Sequence, residues 1–182
     1  MSRWALVVGT KGSDKHARLR ELVERLRARG VRVGGVLQEP IDGQEEREGY
    51  VARELGGLGR AVLARRAKAQ DDGDAAKQVI CSYAFDAEAL ARARGWIARD
   101  ARASDVVVID EVSKLEVARG GHHDAIVDAL AGPAIALLVV RADQLFAVME
   151  RFGLDEPLAA LEAPEPAALG PFVDQLVEAA RA

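Results

Sequence analysis

Three short groups of residues in this 182-residue chain have the types and spacing that chemistry requires: GTKGSDKH at residues 9–16, the two acids Asp110 and Glu111 that close the apolar run VVVI, and Arg141 after ALLVV. The first group falls on part of the pattern G-x-x-x-x-G-K-[ST], in which backbone N–H groups and a Lys cradle phosphates and a hydroxyl serves a magnesium ion. Gly9 and Lys15 match it, whereas Asp14 replaces the second glycine and His16 the hydroxyl residue. A carboxylate at the glycine position repels an anion, and a neutral imidazole is a poor partner for so hard a cation. Two readings stay open. Either Gly9, Thr10, Lys11, Gly12, Ser13, Asp14, Lys15 and His16 form a degenerate phosphate cradle, or they are a glycine turn with Ser13 or Asp14 capping a helix.

The second group is better placed, because the apolar run fixes where the acids sit. Carboxylates closing a buried strand are costly unless paired or used, so the tip of VVVI is expected to carry a site. Asp110 would hold magnesium through water, and Glu111 would orient or deprotonate an attacking water. The alternative is that they cap the next segment or pair with Lys114. Arg141 would reach a bound γ-phosphate, or else pair with Asp143 at the surface.

The remaining reactive types are less promising. His122 and His123 are adjacent, so on a helix they point about 100° apart and cannot chelate one ion; they read as a polar helix start. Cys81 is the single cysteine. It excludes an internal disulfide framework, fits a reducing cytoplasm and reads as a small buried residue. Trp4 and Trp96 are expected in the core.

Composition bounds the partners. The chain is 49% hydrophobic and 30% charged with a formal net charge of -4, values of an ordinary globular protein with no global attraction to nucleic acid. Arg18, Arg20, Arg25, Arg27 and Arg29 alternate with Glu21 and Glu24, as on a solvated helix face. No apolar run nears the roughly 18 residues that span a bilayer, and the N-terminal run WALVV is shorter than the 7 or so residues of a signal peptide's apolar region. One domain over residues 1–182 in the cytoplasm, away from membranes, is expected.

The elements that must position these groups alternate. A strand at residues 4–8 leads through the glycine turn into a helix with Leu19, Leu22, Val23 and Leu26 as its apolar stripe and Gly30 as its stop. A strand at 31–38 completes a βαβ unit, expected to be right-handed. Two short strands at 49–55 and 60–64 form a small antiparallel excursion, and polar residues 65–77 are expected to be a mobile loop. A short strand near Val79 and Ile80 follows, then a helix capped by Asp86, the VVVI strand, a helix at 122–130, a strand at 134–140 and a helix at 143–152. Residues 162–182 are expected to be a linker and one last amphipathic helix. Continuous apolar runs such as VVVI and ALLVV mark parallel strands covered on both faces. The fold class is therefore α/β, a three-layer sandwich on a mostly parallel sheet, whose ligands bind beyond the C-terminal strand ends.

At VVVIDEVSKLE the sequence resembles the small P-loop nucleoside triphosphatases of the cancer-related type, whose strand-end motif looks like VIDEIGKME. RVGGVLQEP, REGYVARELGGLGRAVLARR and SYAFDAEAL are similar to that family's next segments in the same order. The resemblance implies magnesium-dependent hydrolysis of ATP, GTP and other nucleoside triphosphates, with Lys15 on the β- and γ-phosphates, Gly9 and Gly12 shaping the loop, Asp110 serving Mg2+ and Glu111 activating water. The chain departs from that family at Asp14, His16 and Ser113. It is expected to bind a nucleoside triphosphate with weakened or lost hydrolysis; a pseudo-enzyme that serves as an interaction module for a protein partner is the alternative.

Overall fold

The computed structural model describes residues 3–9, 15–43, 46–68, 77–80, 82–163 and 166–182. Their strands form one nine-stranded sheet in the order β5-β6-β4-β3-β2-β7-β8-β1-β9. The elements are β1 (Trp4–Gly9), α1 (Lys15–Ala28), β2 (Val33–Asp42), β3 (Arg47–Glu54), β4 (Arg60–Arg66), β5 (Lys77–Ile80), β6 (Tyr83–Asp86), α2 (Ala87–Ala103), β7 (Val106–Val112), α3 (Lys114–Val117), α4 (His123–Ala131), β8 (Ile135–Arg141), α5 (Leu145–Phe152), β9 (Ala160–Ala163) and α6 (Leu169–Arg181).

The half of the sheet from β2 to β9 is parallel. Its central strands β7 and β8 carry the runs VVVI and ALLVV, fully buried because helices cover both faces. One face packs α2 and α4 around Ile97, Ile126 and Ile109. The other packs α1 and α6, through Leu19, Leu22, Leu26, Phe172 and Leu176. This is the expected three-layer α/β sandwich. β1 and β2 run parallel as the βαβ reading requires, with β7 and β8 inserted between them.

Three expectations are corrected. The antiparallel excursion is larger than a hairpin, since β3, β4, β6 and β5 all pair antiparallel. The bounds of the loop expected at 65–77 do not hold at either end: Arg65 and Arg66 belong to β4 and Lys77 opens β5, while residues 69–76 lie outside the described residues, as does Cys81. The expected linker at 162–182 is preceded and entered by a strand, β9, which pairs with the free edge of β1 and buries Leu161. A strand of four residues is too short for period-two alternation to be visible.

Local chemistry explains the joints. Asp86 caps α2 by accepting from the Ala89 N–H at 2.7 Å, and Gly30 ends α1 at φ +82°. In β2, Gly35 lies at φ +96°, where an added Cβ would stand 2.1 Å from the Val108 carbonyl oxygen of β7. Its N–H donates to the buried Asp100 carboxylate of α2 at 2.8 Å, which fixes the helix against the strand. Trp4 is buried and Trp96 packs half-buried against the same core. The arginines of α1 keep to its outer side, with Arg18 and Arg25 both pairing with Glu21. Among the described residues no helix is long and apolar enough to cross a membrane.

Candidate functional site

The site lies at the C-terminal ends of β7, β1 and β8, as an open parallel sheet leads one to expect. β7 carries two carboxylates that the backbone sends in different directions. Asp110 continues the strand and points inward, 1% exposed. Its Oδ2 accepts from the Gln38 N–H of β2 at 2.9 Å and its Oδ1 from the Glu111 N–H at 2.8 Å. Glu111 lies at φ +60°, where the pairing of β7 with β8 slips between Ile109 and Val112. A non-glycine residue in that region costs about 1–3 kcal/mol and persists only where its surroundings enforce it. The bulge turns the Glu111 side chain toward α1.

There it meets Lys15. The first residue of α1 is 5% exposed, and its ammonium donates to Glu111 Oε1. The glycine-loop lysine and the strand-end acid, separated by 96 positions in sequence, thus form one ion pair. His16 completes the group, with Nδ1 3.7 Å from Asp110 Oδ2 and Nε2 4.0 Å from Glu111 Oε1. Burial, then the Lys15 charge, holds its pKa below the ordinary imidazole value, so it is neutral near pH 7. Asp110 is pushed the other way. Burial, then the Glu111 charge, raises its carboxyl to about 7.

Of the residues expected at a site, Lys15, His16, Asp110 and Glu111 are brought together, and Gly9 stands at the tip of β1 in register with Arg141. Thr10, Lys11, Gly12, Ser13 and Asp14 lie outside the described residues. Arg141 pairs with Asp143, its Nε donating at 3.0 Å, and its side chain borders a cavity that also touches Glu111. Glu111 takes Lys15 rather than Lys114 as its partner.

Magnesium keeps several waters and binds proteins through one or two carboxylates together with substrate phosphates. Both Asp110 oxygens already accept a backbone N–H and retain lone pairs, which suits a place in the water shell of the ion rather than direct ligation. Among the described residues no group of three or more His, Cys, Asp or Glu side chains forms a metal cage. The donor set fits a nucleotide-borne magnesium ion.

Sequence reasoning missed several residues here. Gln38 acts through its backbone N–H, which no residue type announces. Glu116 and His122 are buried beside the site, with Glu116 accepting from the N–H groups of Ser113 at 3.0 Å and His122 at 3.1 Å. His122 does stand at the start of α4, but inside the protein rather than on a polar surface. The signal available was the aromatic content of the antiparallel strands, Tyr50, Tyr83 and Phe85, which face the same cavity.

Comparison with known proteins agrees with this architecture. The chain superposes on the solution structure of a human cancer-related nucleoside triphosphatase with a TM-score of 0.72 and 21% identity, over 95% of this chain and 96% of that one. It superposes on the crystal structure of THEP1 from the hyperthermophile Aquifex aeolicus with a TM-score of 0.58 and 18% identity, over 94% and 95% of the two chains. At these identities the likeness shows the fold. No protein of curated function matches the sequence significantly. A family profile described as NTPase does match, over residues 5–160, the span from β1 through every strand-end residue of the site to the start of β9; the chain belongs to this family of small P-loop nucleoside triphosphatases.

Proposed function

We propose that the chain binds a magnesium-bound nucleoside triphosphate, ATP or GTP, at the tips of β1, β7 and β8, and hydrolyses it slowly or not at all. The observation that carries this reading is the Lys15–Glu111 pair with Asp110 buried behind it. Two partial motifs far apart in sequence converge on one point, with a cation for phosphates, an acid for the metal's water shell and an acid for the attacking water. Residues 9–16 supply the phosphate cradle. Lys15 leaves Glu111 for the β- and γ-phosphates when the nucleotide arrives, and Arg141 is near enough to the shared cavity to meet the γ end. Bound magnesium neutralises the charge that develops on the phosphates.

Two features favour binding over turnover. His16 occupies the position from which a hydroxyl would serve the metal, and its imidazole lies within 4.0 Å of both acids. Asp14, in place of the motif's second glycine, adds a negative charge to the segment expected to bind phosphate. Catalysis then depends on Glu111, freed from Lys15, accepting a proton from water as that water attacks the γ-phosphorus.

The test is a thermal-shift titration with magnesium and ATP, GTP or their diphosphates, since a ligand of the native state raises the melting temperature by mass action. A magnesium-dependent shift that Lys15→Met abolishes is the expected result. No shift at millimolar nucleotide overturns the reading and leaves the pseudo-enzyme, whose fold serves a protein partner.

A further inference from the structure

Beside Glu111, on the side away from α1, lies a cavity of about 210 Å³. One wall is aromatic. Tyr50 of β3 and Tyr83 of β6 meet edge to face with centroids 5.1 Å apart, and Phe85 of β6 extends the wall inward. The opposite end is polar and built into the core. Glu116 and His122 are 3% and 4% exposed, and both line the cavity. The His122 Nδ1 is buried without a hydrogen-bond partner. An unmade hydrogen bond at a buried ring nitrogen is costly, and it marks the His122 ring as a polar group set into the cavity's wall without a partner of its own. Burial holds the imidazole neutral, so it offers one donor and one acceptor.

These features select a class of ligand. Aromatic side chains facing a narrow space favour a flat ring system, since stacking on any base is sequence-tolerant and strong. A carboxyl and a neutral imidazole at the far end suit a ring edge that both donates and accepts. The volume falls below the roughly 300 Å³ at which drug-sized pockets begin, which leaves room for a ring system but not for a whole nucleotide. No residue of α1 or β1 borders the cavity, while Glu111 does. A triphosphate cradled by α1 therefore meets this space at its γ end, and the base of that same nucleotide lies elsewhere.

We propose that the cavity is a second substrate site: it takes the base of a nucleoside between the aromatic wall and the Glu116–His122 end, and presents a sugar hydroxyl beside Glu111 as acceptor of the γ-phosphoryl group. The inference rests on the nucleotide-binding reading above. The hydroxyl oxygen forms a bond to the γ-phosphorus as the bond from the β–γ bridging oxygen breaks. Its proton passes to the Glu111 carboxylate. The products are a nucleoside diphosphate and a phosphorylated nucleoside. An acceptor bound here also gives Glu111 a use that does not depend on holding a water molecule.

Calorimetric titration of the full chain with adenosine, guanosine, cytidine and uridine, with and without saturating magnesium and a non-hydrolysable ATP analogue, tests the site without reference to activity. At least one nucleoside is expected to bind, and to bind as well or better with the analogue present. Tyr83→Ala, at a half-exposed position, should weaken that binding about tenfold or more, and His122→Phe, which keeps the ring and removes its nitrogens, should do the same. With γ-labelled ATP, label should then appear on the bound nucleoside. No binding by any of the four overturns the proposal. Displacement of the nucleoside by the analogue also overturns it, because the cavity would then be the seat of the nucleotide's own base. Binding without transfer of label overturns the acceptor role. Failure of the nucleotide-binding reading would look different: nucleoside heat would persist while the ATP analogue alone gave none.

Discussion

Lys15→Met removes the cation from a group in which it faces two acids, and its cost should depend on pH in a direction the structure fixes. Asp110 titrates at about 7 in the folded protein against 3.8 ordinarily, raised by burial first and by Glu111 second, with Lys15 acting to lower it. Below about pH 4 folded and unfolded chains both hold the proton, and burial of this carboxyl carries no charge penalty. As pH rises from about 4 to about 7 the unfolded chain releases the proton first, so stability from this group falls, and above about 7 it levels. Lys15 offsets that loss most where Asp110 is ionised. Removing one partner of a fully buried ion pair costs about 3–5 kcal/mol; the Glu111 side chain is 20% exposed, which lets water take up part of its charge. We expect Lys15→Met to cost about 2–3 kcal/mol at pH 8, by scaling down that buried-pair figure. At pH 5, where Asp110 is neutral, the cost should be about 1 kcal/mol smaller, since one unit of pKa is worth about 1.4 kcal/mol. Urea denaturation of both proteins at the two pH values measures this. Equal losses at pH 5 and pH 8, or a more stable variant at pH 8, would refute the argument that Lys15 balances Asp110 as well as Glu111.

Glu111→Gln should retain magnesium-nucleotide binding, no weaker than that of the wild type, and reduce any phosphate release by about 10²–10⁴-fold, the usual contribution of a general base; unchanged turnover would remove Glu111 from that role. Asp14→Gly combined with His16→Thr restores the glycine and the hydroxyl, and should raise nucleotide affinity or turnover; no gain in either would count against an eroded phosphate loop. Gly35→Ala places a Cβ against the Val108 carbonyl oxygen at a positive φ, which should cost about 3 kcal/mol or more, read by chemical denaturation. A loss below about 1 kcal/mol would mean that β2 and β7 separate easily there.

The elements read most directly from sequence are those whose burial is total. VVVI and ALLVV announce β7 and β8 because strands covered on both faces carry no polar alternation, and the leucine spacing of α1 fixes its buried side. β6 and β9, each four residues long, carry too little pattern; their pairing with β4 and β1 is decided by the free edges of strands distant in the chain. Glycines 34 and 35 argue against a strand by propensity. They sit in β2 nonetheless, since Asp100 of α2 and the backbone of β7 approach closer than any side chain would permit. The site follows the same division. Apolar context places Asp110 and Glu111 at a strand tip, but nothing in the letters DEV foretells the bulge that turns Glu111 toward Lys15. GGHH reads as a polar helix start, although Gly121, at φ +54°, lets the chain fold His122 inward over Glu116.

The pairing of Lys15 with Glu111 links binding to reactivity in the proposed site. While the ammonium holds Glu111, the carboxylate oxygen Oε1 is engaged by that hydrogen bond rather than turned to a water or hydroxyl proton. In the proposed reading a triphosphate would compete for the same ammonium, and its magnesium would supply positive charge beside Asp110 and Glu111 in place of Lys15. On the proposed function, nucleotide arrival would therefore release the base at the moment its substrate is in place. The exchange has a consequence for affinity, because breaking the ion pair subtracts from the binding energy of the phosphates. A nucleotide bound in this way is held more weakly than in a site whose lysine is unpaired, and Glu111→Gln, by freeing Lys15 beforehand, should tighten binding rather than weaken it. A Glu111→Gln protein that binds magnesium-ATP less tightly than the wild type would show that the pair is not broken by the nucleotide, and that Lys15 does not serve the phosphates.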